Sequence, residues 1–167
     1  MRTITLTQEH ISWCEKISQK RYLRHKGNPY AKYENTPSGH LIGLLGELGA
    51  YLMLQQEGIS NVQAHFHADD SLPDITVGTK KIEVKTWKEE TWEFGGRCIQ
   101  EDQYAKVRLL DYIIWTTVKD NTVCIKGYSY PSDFEYIEPK LMGKGILNRR
   151  VPKAWDIGIL LASLRCV

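Results

Sequence analysis

The stretch from Leu72 to Trp87 constrains this chain more than any other. Leu72 to Val77 reads Leu-Pro-Asp-Ile-Thr-Val, and Lys80 to Trp87 reads Lys-Lys-Ile-Glu-Val-Lys-Thr-Trp. Both runs are rich in β-branched residues and alternate apolar with polar, the pattern of half-buried strands. Only Gly78 and Thr79 separate them. Glycine at the first central position marks a two-residue type II′ turn. That turn sets a register in which Val77 pairs with Lys80, Ile75 with Ile82, and Asp74 with Glu83. Side chains alternate faces along a strand, so Asp74, Thr76, Glu83, Lys85 and Trp87 share one face. Ile75, Val77, Ile82, Val84 and Thr86 share the other, which is the core face. Pro73 suits a strand start, where it removes few ladder hydrogen bonds.

Directly opposed side chains have Cβ atoms about 4.5–5.5 Å apart, and unpaired like charges there destabilise a sheet. Asp74 and Glu83 are therefore placed to hold one hard cation between them. Mg²⁺ prefers oxygen donors, keeps several waters, and takes one or two carboxylates with a substrate phosphate. Such an ion lowers the pKa of its water and offsets charge building on the phosphate. Lys85 lies on the same face, two residues beyond Glu83. It would orient or deprotonate the attacking water, or stabilise the pentacovalent phosphorus; the pattern does not separate these roles. The plainer reading is an exposed Asp/Glu/Lys ladder of cross-strand ion pairs. Turn, register, Pro73 and apolar flanks agree in favouring a site.

Pro73-Asp74 followed by Glu83-Val84-Lys85 resembles the PD-(D/E)XK nuclease superfamily, which includes restriction endonucleases, junction resolvases and RecB-type nucleases. The resemblance covers residues 41 to 118 best. It implies an α/β (α+β) chain with a restriction-endonuclease-like core, a central mixed sheet of four to five strands flanked by helices. It also implies a Mg²⁺-dependent nuclease acting on DNA, most simply an endonuclease, with Mn²⁺ as a substitute. Asp74 and Glu83 would be metal ligands, joined by the Val84 carbonyl. In that superfamily the helix before the hairpin often gives an acid to the metal site, and Glu47 matches that position. Gln100 and Tyr104, read as one turn apart on a helix, resemble the Q-x-x-x-Y element of RecB-type enzymes. Gln103 competes for the same role.

The surrounding pattern supplies the elements. Leu41 to Glu57 reads as a helix, with Leu41, Leu44, Leu45, Leu48, Leu52 and Met53 at helical spacing and Gly58 as its stop. Gly43, Gly46 and Gly49 flank Glu47. Each costs a helix interior roughly 0.8–1.0 kcal/mol relative to alanine, which points to close packing or ligand approach there. Ile99 to Leu110 is predicted helical, Asp111 to Val118 a buried strand, and Thr122 to Tyr130 a further strand with Gly127 at a bulge. Thr7 caps an N-terminal helix running to about Lys26. Residues 139 to 156 read as irregular and basic. Ile157 to Leu164 is a strand or a final helical turn. Trp87 to Arg97 is a flap or a strand continuation.

At 167 residues the chain is expected to be one domain, 1–167. Its core spans about residues 41 to 130, with the N-terminal helix and the C-terminal basic segment as elaborations. No apolar run reaches the roughly 18 residues of a membrane span, and no signal-peptide core is visible, so a cytoplasmic protein is expected. No organic cofactor is expected. Cys14, Cys98, Cys124 and Cys166 form no C-x-x-C pair and read as reduced thiols. His65 and His67, followed by Asp69 and Asp70, read as a polar strand exit rather than a transition-metal site.

Net charge is only +2, yet basic residues gather toward both ends and acids toward the middle. Phosphate contacts need the former. The loop holding Lys32 and Tyr33, and the pair Arg149 and Arg150, are the expected nucleic-acid contacts. Cutting two strands favours two active sites, and symmetric dimers are the commonest oligomers, so a homodimer or homotetramer is expected. The alternative function is a catalytically inactive nucleic-acid-binding module of the same fold. A third reading has the acidic patch binding a basic protein.

Overall fold

The computed structural model describes residues 1–25, 36–66, 72–142 and 145–167. After a short strand β1 (Arg2–Thr5) come two helices, α1 (Gln8–His25) and α2 (Pro37–Gln56). Thr7 Oγ1 accepts the His10 N–H at 3.1 Å, the expected cap of α1. Helix α2 starts earlier than the Leu41 expected from apolar spacing. Thr36 accepts the Gly39 N–H through its hydroxyl, and Pro37 fills the first turn. Both are helix-start signals that periodicity does not register. The stop is as predicted: Glu57 ends the helix and Gly58 follows at φ 74°.

Strands β2 (Val62–Ala64), β3 (Ile75–Val77) and β4 (Lys80–Lys88) follow. The hairpin register is the one the turn predicts, with Val77 opposite Lys80 and Ile75 opposite Ile82. Gly78 takes φ 58° and Thr79 stays outside the left-handed region, as a type II′ turn requires. Beyond β4, a 3₁₀ turn (Glu89–Thr91) and a short helix α3 (Trp92–Gly95) occupy the stretch read as flap or strand. Then come β5 (Cys98–Gln100), α4 (Glu101–Val107), β6 (Tyr112–Lys119) and β7 (Thr122–Ser129).

The main sheet has six strands in the order β1-β7-β6-β4-β3-β2. That exceeds the four to five expected, because β1 and β2 add an edge strand at each side. It is mixed: β4 and β6 run parallel, and the other pairs are antiparallel. The β6–β7 register shifts between Trp115 and Thr116, leaving Lys126 as the extra residue beside Gly127. Gly127 sits at φ 145°, and a Cβ there would lie 2.5 Å from the Trp155 carbonyl oxygen. The bulge thus lets the 155 segment bridge to Tyr128.

Residues 139–156 are not irregular. They contain β8 (Lys140–Met142) and β9 (Ile146–Arg150), which join β5 in a separate antiparallel sheet, β5-β9-β8. Strands β8 and β9 are short and carry no buried residue, so they lack the apolar alternation that reveals a strand in sequence. Ile157–Leu164 resolves as helix α5, with Asp156 accepting the Gly158 N–H at 2.7 Å. The helix predicted over Ile99–Leu110 is cut short, since its first residues belong to β5.

Two apolar cores cover the two faces of the main sheet. One joins Ile75, Val77, Ile82 and Val84 to α1, α2 and α5. The other gathers Trp92, Ile99, Val107, Ile113, Trp115, Phe134 and Val151, with Trp87 against it. Strand β6 is buried on both faces and alternates between the two cores. Gly46 and Gly49 let α2 lie close on the sheet: a Cβ at Gly46 would sit 2.6 Å from Thr116 Oγ1, and one at Gly49 would enter Val123. Among the described residues no helix is long and apolar enough to cross a membrane.

Candidate active site

The hairpin brings Asp74 and Glu83 to one place. Asp74 lies just ahead of β3, and its main-chain carbonyl accepts the His65 N–H at 2.9 Å. Its Oδ2 accepts the Val84 N–H at 2.8 Å. The carboxylate is thus aimed at β4 by a main-chain anchor on each side. Burial pushes its pKa well above the ordinary carboxylate value, and the Glu47 and Glu83 charges push the same way. The Val84 amide and Lys85 pull back without cancelling the effect.

Glu83 is 7% exposed. Its Oε1 forms an ion pair with Lys85 Nζ at 3.1 Å, while Oε2 is buried with no hydrogen-bond partner among the described residues. A buried carboxylate oxygen left unpaired is costly and is the group that a cation would satisfy. Lys85 Nζ also donates to Gln103 Oε1 at 3.0 Å. Gln103 sits on α4, the connection between β5 and β6, so the parallel crossover delivers the side chain that steadies the lysine.

Glu47 is buried on α2. Both of its oxygens are engaged by Arg21 of α1, Oε1 with Nη1 and Oε2 with Nη2, each at 3.0 Å. Arg21 further donates through Nε and Nη2 to the Phe66 carbonyl, at 3.2 and 2.8 Å. Burial raises the Glu47 pKa and Arg21 lowers it; Glu83 and Lys85 lie close enough to act on it too. The structure therefore assembles Glu47, Asp74, Glu83 and Lys85 in one electrostatic neighbourhood, with Arg21 and Gln103 as further members. Arg21 carried no signal in the sequence beyond membership of a basic cluster, because an ion pair across two helices leaves no local pattern.

The Q-x-x-x-Y reading is corrected. Gln100 is extended, at φ −64° and ψ 140°, and pairs with Asn148 in the small sheet. It does not share a helical face with Tyr104. Tyr104 packs on Phe134 and under the Arg149 guanidinium, 4.3 Å from the ring centre. Gln103 is the glutamine that reaches the lysine.

The arginines assigned to nucleic acid are used internally. Arg149 forks onto Glu101, through Nε at 2.6 Å and Nη2 at 2.8 Å, and donates to the Phe134 and Glu135 carbonyls. Arg150 donates to the Gly96 and Glu93 carbonyls. Lys32 and Tyr33 lie outside the described residues, as do His67, Asp69 and Asp70. His65 Nε2 meets Thr76 Oγ1 at 3.2 Å. The four cysteines are unpaired.

Among the described residues no three His, Cys, Asp or Glu side chains form a ready metal cage. What the site offers is two carboxylates, one of them with an unpartnered oxygen, a hard all-oxygen donor set that suits Mg²⁺ or Mn²⁺ retaining water. No family model, no curated protein and no solved structure matches this chain.

Proposed function

We propose that this protein is a Mg²⁺-dependent nuclease that hydrolyses DNA phosphodiester bonds, most simply as an endonuclease on a restriction-endonuclease-like core. One observation carries the reading. A tight hairpin sets the desolvated Asp74 carboxylate beside Glu83, whose Oε2 lacks a partner among the described residues, with the Lys85 ammonium 3.1 Å from Glu83 Oε1. Structural ion pairs have no need of a spare buried oxygen.

In this reading Asp74 and Glu83 hold the ion, with the Val84 carbonyl as third ligand. When bound, the ion supplies electrophilic assistance to the phosphate and acidifies its water. Lys85 donates toward Glu83 on one side and Gln103 on the other, which fixes the direction of its ammonium. An anchored donor suits stabilisation of the phosphorane oxygens better than proton abstraction. Trp87, on the same face of β4 as Glu83 and Lys85, packs with Trp92 and Trp115 beside the site. Two sites for two strands would come from a homodimer or homotetramer.

The second reading is a nucleic-acid-binding module without catalysis. The Arg21 fork on both Glu47 oxygens favours it, since it removes one carboxylate from ligation. Plasmid, linear and branched DNA incubated with Mg²⁺ or with EDTA decides between them. The nuclease reading expects cleavage that needs the metal and disappears in Asp74→Ala and Glu83→Gln while DNA is still bound. Full Mg²⁺-dependent cleavage by Asp74→Ala would make the assignment wrong. Binding without cleavage in the wild type would favour the module.

A further inference from the structure

We infer that Arg21 is a built-in cation of this site: it fills the Glu47 end, so that each chain takes one divalent ion, held by Asp74 and Glu83, rather than two. The inference rests on the metal-dependent reading above and deepens it.

Three carboxylates meet here, and their environments differ. Glu47 presents both oxygens to one guanidinium at matched distances of 3.0 Å. A planar fork on a carboxylate is among the strongest protein ion pairs, and arginine is more weakly hydrated than an ammonium, so it suits a buried pair. The guanidinium is anchored a second time, by two bonds to the Phe66 carbonyl. It is therefore held by α2 and by the chain leaving β2 together. A hard ion that ligated Glu47 would have to displace the guanidinium from both carboxylate oxygens. Glu83 is the opposite case: one oxygen is unpartnered among the described residues, in a residue only 7% exposed.

Charge gives the same count. With all three carboxylates ionised, as ion binding requires, Glu47, Asp74 and Glu83 face two cations, Arg21 and Lys85, which leaves one formal negative charge. One divalent ion turns the site net positive by one, complementary to the single charge of a phosphodiester. A second would overcharge a desolvated site. The absence of any three-ligand group among the described residues agrees with Glu47 standing outside the ion's shell.

The test is Mn²⁺ binding to the full-length protein without nucleic acid, read by calorimetry and by loss of the free-ion electron paramagnetic resonance signal. The wild type should bind one Mn²⁺ per chain. Glu47→Gln keeps an amide oxygen for Arg21; it should still bind one, with affinity reduced less than about tenfold, the lower end of what outer-shell changes do. Asp74→Asn should weaken binding by roughly a hundredfold, since ligand charge count sets affinity at oxygen sites. Arg21→Met should admit a second Mn²⁺ at the freed Glu47; if it does not fold, Glu47→Gln decides alone. Two Mn²⁺ per wild-type chain, or a loss in Glu47→Gln as large as in Asp74→Asn, overturns the inference and leaves the nuclease reading standing. No Mn²⁺ bound by the wild type at millimolar concentration sinks the metal-dependent reading, and this inference with it.

Discussion

Asp74 Oδ2 accepts the Val84 N–H at 2.8 Å, so a side chain just ahead of β3 fastens the main chain of β4. Extending the observed register sets Glu83 opposite Asp74 and Val84 opposite Pro73. The ladder instead stops at Ile75, and the carboxylate takes over the Val84 amide. One residue thus ends the strand pairing and points its charge at the site.

That double role gives the first prediction. Asp74→Ala leaves the Val84 N–H without its acceptor and should destabilise the protein by about 1–3 kcal/mol, the scale of an unsatisfied buried donor. Asp74→Asn retains an acceptor at the same place and should not. Urea unfolding of both variants separates the two, while both should lose cleavage.

A pH dependence follows from the raised pKa of Asp74. An unfolded aspartate titrates near about 3.9. A folded value above that means the native state holds the proton more tightly, so the stabilisation is complete below about 3.9 and is lost as pH rises through the folded pKa. In EDTA, the wild type should therefore melt progressively lower relative to Asp74→Asn as pH rises above about 3.9. Parallel melting curves for the two proteins across that range would remove Asp74 as the responsible group.

Gln103 accepts from Lys85 Nζ, and in the nuclease reading it is a positioning residue. Gln103→Leu frees the ammonium to drift while leaving the carboxylates untouched. Single-turnover plasmid cleavage should slow roughly tenfold to a hundredfold, the effect of a small misplacement of a reacting group, with Mn²⁺ affinity unchanged. Gln103→Glu keeps the acceptor and should recover part of the rate. Equal loss in both variants would mean that α4 is merely destabilised.

Arg149 ties β9 to α4 through Glu101, Tyr104 and two carbonyls. Arg149→Ala should cost about 1–2 kcal/mol of stability through the lost ion pair and ring contact. If DNA is bound, the salt dependence of its affinity should stay as in the wild type. A phosphate contact would instead reduce the slope by about one.

The parts legible in the sequence were those set by local geometry. Gly78-Thr79 fixed the pairing of Ile75 with Ile82 through turn twist alone, and the alternation of Ile82 and Val84 with Glu83 and Lys85 followed from the pleat. Gly58 and Thr7 marked helix ends for equally local reasons. What stayed hidden depends on contacts between distant segments. Arg21 and Glu47 are 26 residues apart and meet only because α1 packs on α2. The small sheet joins Cys98–Gln100 to residues near 150, in strands too short for periodicity to show. Ile99-Gln100 suits helix and strand alike in sequence, and pairing with Arg149 and Asn148 makes it strand.

The three glycines of α2 separate local cost from packing need, and they give the last prediction. A Cβ at Gly43 would meet nothing within 4 Å, whereas one at Gly46 would overlap Thr86 and lie 2.6 Å from Thr116 Oγ1. One at Gly49 would overlap Val123. Gly43→Ala should therefore stabilise by up to about 0.8–1.0 kcal/mol, the helix-propensity gain. Gly46→Ala gains the same propensity but must lift α2 from the sheet, so it should be net destabilising, against an overpacking cost of about 1–3 kcal/mol. Because Gly46 adjoins Glu47, that lift should also loosen the Arg21 fork and change Mn²⁺ affinity. Gly49→Ala, whose Cβ would press on Val123 of β7 and not on β4, should lower stability with a smaller effect on the ion. Urea unfolding and Mn²⁺ titration on the three variants read these outcomes together. A Gly46→Ala protein as stable as Gly43→Ala would show that α2 does not need its close approach to β4 and β6.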